Sequence, residues 1–303
     1  MKRSGEFELI NAFLSALPHA RAPHGPGDDA AVLPPSRQKL CVTTDAVVEN
    51  VHFTRPFFSL ADIGHKALAV NLSDLAAMGA RPTWWLCALG LPNRFARADV
   101  VALARGMAPL ARQHHLILVG GNITACPVLT LTLTLAGEAS RPLLRSGARV
   151  GDHLFVSGTL GAAAAGLSLR APALAAAQKR PEPQVKLGLS AARWASAAID
   201  LSDGLLADLE HLCAASHVGA DLHASTLPIH PALRGSSKAL GWALNGGEDY
   251  QLLVAARSPR PRPGFTRIGE ITKSRTLTLD GKPIRPDGFD HFRKLIPVEG
   301  NRR

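Results

Sequence analysis

The chain has 303 residues, 46% of them apolar and 5% aromatic, and a formal net charge of +10. That length is enough for one large domain or two ordinary ones around an aliphatic core. Cys41, Cys87, Cys126 and Cys213 are far apart and form no C-x-x-C pair or Cys/His cluster, which excludes a disulfide scaffold and points to a reducing compartment, the cytoplasm. Lys and Arg are dispersed, without a basic stripe interleaved with aromatics, so the positive charge does not argue for nucleic acid.

In chain order, "MKRSGEFELINAFLSAL" reads as an amphipathic helix, because Glu6 and Glu8 interrupt the apolar stretch that a secretory signal needs. "GPGDDAAVL", residues 25–33, puts Asp28 and Asp29 side by side in a glycine-rich turn. "KLCVTTDAVV" is a strand that carries Thr43, Thr44 and Asp45. "SLADIGHKALAVNLSDLAAMG" is a helix with Ser59 at its N-cap, Asp62 three residues on, and a stop at Gly79.

Strands follow in "WWLCALGLP", "LILVGG" and "VLTLTLTLAGE". The uncharged run from Leu116 to Gly137 has the length of a membrane span, but it contains "GGN", a proline and a strict Leu/Thr alternation, so it predicts strands and no membrane. Small and basic residues over 138–151 predict a boundary between an N-terminal domain, 1–138, and a C-terminal domain, 139–303.

In the second half, "HLFVSG" runs into a glycine turn and a helix in "VSGTLGAAAAGL". That segment lacks the dinucleotide-binding spacing, and the chain has no G-x-x-x-x-G-K-[ST], so phosphates would be held mainly through metal ions. Residues 170–188, "RAPALAAAQKRPEPQVKLG", read as a Pro- and Ala-rich excursion. "ASAAIDLS" is a strand, "DGLLADLEHLCAASH" a helix, and "QLLVAA" a strand. The pattern is that of a mixed α/β (α+β) chain.

The acids share one kind of setting: apolar or glycine-rich sequence where strands meet turns or helices. They are Asp28, Asp29, Asp45, Asp74, Asp200, Asp203, Glu248 and Asp249, and nearby sequence offers few cations to pair with them. Each by itself is compatible with a cap or a turn, and Asp203 could cap the helix that follows it. Together with Thr43 and Thr44 they form a hard oxygen donor set suited to Mg²⁺, which commonly shares its coordination with water and phosphate. That implies a phosphate-bearing substrate.

"GEFELI", "GPGDDAAVL", "TTDAVVENVHF", "KALAVNLSDLAAMGARP", "RSGARVGD", "AIDLSDGLLADL" and "GGEDYQLL", from about Gly5 to Phe292, resemble in order and spacing the motifs of the thiamine-monophosphate kinase family. That family belongs to the ATP-binding superfamily of aminoimidazole ribonucleotide synthetase. The resemblance implies two α/β-type domains in that fold and a homodimer whose N-terminal sheets meet. It also implies ATP and Mg²⁺ as cofactors and thiamine monophosphate as phosphoryl acceptor.

Carried over by position, Asp29, Thr43, Thr44, Asp45, Asp74, Asn122, Asp200 and Asp203 fall at metal ligands, while Gly121, Asn122, Arg145 and Ser202 fall at ATP contacts. His52, Glu248 and Phe289 fall at contacts to the thiamine substrate. Asp45, Asp74, Asp203 and Arg145 would carry the catalytic weight. Two departures stand out: "GGN" replaces a "GGD" turn, so that a neutral amide stands at a carboxylate position, and Gln251 ends "GGEDYQ". The alternatives are a superfamily enzyme with another acceptor, and a weakened homologue that binds nucleotide or thiamine phosphate without turnover. Asn122 favours the latter, and the lack of a cysteine before Cys41 disfavours a selenium enzyme.

Overall fold

Two β-sheets, one from each half of the chain, are tied together by a single long helix. The computed structural model describes residues 5–21, 24–26, 30–260 and 262–287. The first half contains α1 (Glu6–Leu14), β1 (Lys39–Val48), α2 (Leu60–Ala77), β2 (Arg81–Leu91), α3 (Arg97–Gln113), β3 (Ile117–Ala125) and β4 (Thr130–Ala139). The second contains β5 (His153–Ser157), α4 (Ala162–Leu169), α5 (Pro172–Lys179), α6 (Val185–Ala191), β6 (Ala197–Asp200), α7 (Leu205–Ser216) and β7 (Gly219–Leu222). It is completed by α8 (Ala239–Asn245), β8 (Leu252–Ala256), β9 (Phe265–Thr272), β10 (Leu277–Leu279) and β11 (Lys282–Pro283).

The first sheet has the order β1-β4-β2-β3, with only the β2/β3 pair parallel. Its strands alternate as the Leu/Thr pattern requires: Leu131, Leu133 and Leu135 are buried, whereas Thr130, Thr132 and Thr134 face the other side. In β1 the odd positions, from Cys41 to Val47, face the helices, and Leu40, Val42, Thr44 and Ala46 lie on the open face. The second sheet has the order β11-β10-β7-β9-β5-β8-β6. Among the described residues no helix is long and apolar enough to cross a membrane, and the Leu116–Gly137 run is divided between β3 and β4.

The capping box read from the sequence starts α2: the Ser59 hydroxyl accepts from the Asp62 N–H and the Asp62 carboxylate accepts from the Ser59 N–H, each at 3.1 Å. This helix is buried along nearly its whole length, and small residues let its neighbours come close. A Cβ on Gly64 would sit 2.1 Å from the Leu103 carbonyl oxygen, one on Gly106 2.0 Å from that of Ala61, and one on Gly188 2.0 Å from that of Ala76. Helices α3 and α6 therefore hold α2 by backbone-to-backbone contact.

Residues 170–188 are more than an excursion. They build α5 and the start of α6, and they strap α2 through Arg180 on Asp62 at 2.6 Å and the Pro181 carbonyl on His65 Nε2 at 2.9 Å, and the segment leading into it through Lys179 over the Phe57 ring. Proline kept this stretch from reading as helix, but Pro172 sits in the first turn of α5 and the other two prolines lie between helices, where the missing N–H costs nothing.

Gly64→Ala and Gly188→Ala should each lower the urea midpoint, by about 1–3 kcal/mol of stability, since backbone and not a flexible side chain stands in the way. Gly241→Ala, inside α8 with nothing within 4 Å of its new Cβ, is the matched control and should be neutral or slightly stabilising.

Candidate functional site

The site is built where α2 meets the first sheet and the β6–α7 turn. Asp45 leaves β1 on its helix-facing side, Asp74 lies in the last turns of α2, and Asp200 ends β6. Thr43, two residues before Asp45 and on the same face of β1, donates to Asp74 at 2.5 Å. Asn71, one helical turn before Asp74, accepts from the Asp45 N–H at 3.1 Å and donates to the Ala67 carbonyl at 3.0 Å. Ser73 donates to Asp200 at 2.8 Å, which ties α2 to the second sheet.

Burial disfavours the charge of each of these carboxyls, and neighbouring acids add to that at Asp74 and Asp200. Asp74 is pushed up to about 7, first by burial and then by the charges of Asp200 and Asp45, with the Thr43 hydrogen bond and Arg145 acting in the opposite direction. Asp200, only 4% exposed, is raised to about 6, mainly by burial. Burial raises Asp45 as well. Asp74 also sits near the negative end of the α2 dipole, where a carboxylate is least welcome. Arg145, exposed on a turn over Arg145–Gly147, supplies the positive charge felt by Asp74 and Asp200.

A hard divalent cation fits this donor set, because it would offset the burial that raises all three acids and the like charge that adds to it at Asp74 and Asp200. Among the described residues no three His, Cys, Asp or Glu side chains already converge on one point. Mg²⁺ is commonly held by one or two carboxylates, with water and substrate phosphate completing its shell.

Asp203 does not cap α7. Gly204 occupies the N-cap with φ of 118°, and Asp208 reaches back from inside the helix to accept from the Asp203 and Gly204 N–H groups, at 3.1 Å each. Burial, followed by the charges of Asp200 and Asp203, raises Asp208 to about 8. Ser202 lies in the same turn, and its carbonyl accepts from the Glu248 N–H at 2.8 Å.

Glu248 and Asp249 prove to be partnered. Glu248 Oε1 is 2.6 Å from Lys66 Nζ, and its other carboxylate oxygen accepts from Gln178. Asp249 accepts from the Gly161 and Ala163 N–H groups at 2.6 and 3.1 Å, so a carboxylate of the chain itself occupies the N-terminus of α4 in the "SGTLGAAAAG" segment. Burial raises Asp249 to about 6. Glu248 and Tyr250 both have positive φ, 68° and 47°, a strained turn held by these contacts. His52 accepts at Nδ1 from the Val48 N–H at 3.1 Å.

The family model described as AIR synthase related protein, N-terminal domain, matches residues 27–139. The thiamine-monophosphate kinase of Escherichia coli (strain K12) is 38% identical, over 95% of this chain and 98% of its own length. The chain belongs to the thiamine-monophosphate kinase family. Among solved structures, thiamine-monophosphate kinase from Stenotrophomonas maltophilia K279a is 38% identical with a TM-score of 0.83, covering 92% of this chain and 98% of that one. AaThiL complexed with AMPPCP and TMP is 34% identical with a TM-score of 0.81, covering 94% and 96%. The family's mixed α/β fold is the one described above.

Set against the positions carried over from the family, Thr43, Asp45, Asp74 and Asp200 come together in one cluster, with Arg145 acting on it and Asp203 at its edge. Thr44 and Asn122 do not join it within one copy. Thr44 points to the open face, where Thr134 donates to it at 3.1 Å. The "GGN" segment lies in β3 rather than in a turn. Asn122 is exposed and is aligned through Ala88 and Thr132 with Ala46, three strand spacings or ~14 Å across the open face. Gly121 neighbours it in β3. Asp29 and Phe289 lie outside the described residues.

Lys66, Asn71, Ser73, Gln178 and Asp208 were not singled out from the sequence. For the first three a signal existed: they are polar residues inside a helix otherwise filled with Ala, Leu and Val.

In metal-free protein the folded Asp74 carboxyl keeps its proton to about pH 7, while in the unfolded chain it loses it near the ordinary 3.8. The folded state binds more protons in between, so stability falls as pH rises across that window. Asp74→Asn should therefore raise the thermal midpoint in EDTA at pH 8 by several degrees, with the gain shrinking toward pH 5. Adding Mg²⁺ should raise the midpoint of the unsubstituted protein and not that of Asp74→Asn.

Proposed function

We propose that the chain transfers the γ-phosphoryl group of ATP to thiamine monophosphate, forming ADP and thiamine diphosphate. The observation that carries this reading is the near full-length match to a relative complexed with AMPPCP, an ATP analogue, and TMP, on a chain whose acids Asp45, Asp74 and Asp200 gather in one buried cluster.

The acceptor needs no general base, since a terminal phosphate oxygen of thiamine monophosphate is already ionised at neutral pH. That oxygen bonds to the γ-phosphorus in line as the bond to the β–γ bridging oxygen breaks, and ADP leaves. Asp45, Asp74, Asp200 and Asp203, with Thr43 and the N-terminal Asp29, would hold Mg²⁺, which when bound neutralises phosphate charge. Asn71 orients Asp45 through its backbone, Thr43 fixes Asp74, and Ser73 fixes Asp200. Arg145 faces the same cluster and adds positive charge for the phosphates. Ser202, Gly121 and Asn122 are assigned to ATP, and His52, Glu248 and Phe289 to the thiamine end.

The proposal includes a homodimer that meets on the open face of the first sheet and two functional lobes divided near 138/139. Supporting the dimer is the apolar character of that face, where Leu40, Val42, Leu86 and Ile117 are all exposed. Thr44 and Asn122 lie there too, so the partner would bring its own Asn122 toward the shared surface. A cytoplasmic location is supported by four free cysteines.

Purified protein with ATP, Mg²⁺ and thiamine monophosphate should yield ADP and thiamine diphosphate in equal amounts, with no labelled protein from γ-labelled ATP alone. Asp45→Ala should lower kcat by about 10²-fold or more. Asn122→Asp should lower the Mg²⁺ concentration needed for half-maximal rate. Binding of both substrates without turnover would mark a sensor instead, and no binding of thiamine monophosphate would sink the substrate assignment.

A further inference from the structure

We propose that Lys66, assisted by Gln178, is a positioning residue that sets the place of Glu248 and of the His52 backbone for the phosphoryl acceptor. The inference rests on the reading of Glu248 and His52 as the thiamine end of the site. Lys66 is 1% exposed, and its Nζ lies 2.6 Å from Glu248 Oε1, 3.5 Å from the His52 carbonyl oxygen and 5.2 Å from the centre of the Phe58 ring. One ammonium thus joins two segments, the strand-flanking loop after β1 and the turn before β8, that are nearly two hundred positions apart in the chain.

Glu248 needs such an anchor. It occupies a left-handed backbone conformation, keeps 25% of its side chain exposed, and would otherwise sample many rotamers. Lys66 approaches it from α2 and Gln178 from α5, so each carboxylate oxygen is engaged by a donor from a different helix. Stability alone gives no reason for the lysine, because apolar residues of similar volume commonly replace a buried ion pair without loss.

The helix also fixes a distance. Lys66 and Ser73 are seven residues apart, close to two turns, and so share a face of α2, with a rise of ~10 Å between them. One holds Glu248, the other Asp200. Helix α2 therefore acts as a rigid spacer between the acceptor end and the carboxylate cluster.

The test is a double-substitution cycle read on each substrate separately. Lys66→Met should raise KM for thiamine monophosphate by about tenfold or more and leave KM for ATP within about twofold; in a Glu248→Gln background it should add less than about twofold. Gln178→Leu, which leaves the buried ammonium paired, should raise the same KM in the same selective way and decides the matter if Lys66→Met does not fold. Equal cost of Lys66→Met in both backgrounds, a KM for ATP that moves in step, or an unchanged thiamine monophosphate KM in Gln178→Leu overturns the positioning role. Failure of the functional reading is distinguishable, since it shows as absent turnover and binding of thiamine monophosphate by the unsubstituted protein.

Discussion

The burial of Asp45, Asp74 and Asp200 beside one another is the constraint around which the rest of the molecule is arranged. Burial raises all three carboxyls, which come from three different elements, and the charges of Asp200 and Asp45 raise Asp74 further, an arrangement that a fold selected only for stability would avoid. Holding them together takes a scaffold that does not yield, and the backbone-close packing of α3 and α6 on α2 supplies it. Glycines at these contacts exchange side-chain burial for close packing around α2, a helix that meets both sheets.

Helix α2 is the element on which the two halves agree. Its N-terminus is fixed by the Ser59–Asp62 box and by Arg180 from the α5–α6 segment, and its C-terminal turns present Asp74. Between them Lys66, Asn71 and Ser73 reach the turn before β8, Asp45 within β1 and the end of β6. Each of these contacts joins residues that are distant in sequence. Phosphoryl transfer between two polyanions depends on alignment more than on covalent chemistry, and a single stiff element bearing all three contacts is a physical means to it.

Much of the fold was legible. The strand at 39–48 and the helix at 60–77 follow from alternation, capping and a glycine stop, all local in origin. The acids Asp45, Asp74 and Asp200 stood out because carboxylates in apolar sequence need a partner. Helix α3 and strand β9 were not read from the sequence, nor were β7, β10 and β11, whose two to four residues carry no periodicity. Proline hid the helices of residues 170–188, although proline in a first turn is compatible with helix. Asp208 was missed because its spacing is that of an ordinary helix residue, and only the turn before α7 gives it two N–H donors.

The sequence by itself determined the types of the elements with clear local signals, the hard-oxygen character of its acids and, through its motifs, the family, because these depend on local spacing and residue type. Only the tertiary structure decided which acids act together. It separated Glu248 and Asp249, paired with Lys66 and with the α4 N-terminus, from the clustered and buried Asp45, Asp74 and Asp200. It also put Thr44 and Asn122 on the open face of the first sheet. Partner choice for a charge depends on distance through space, and neither that distance nor the face of a paired strand is written in the order of residues along the chain.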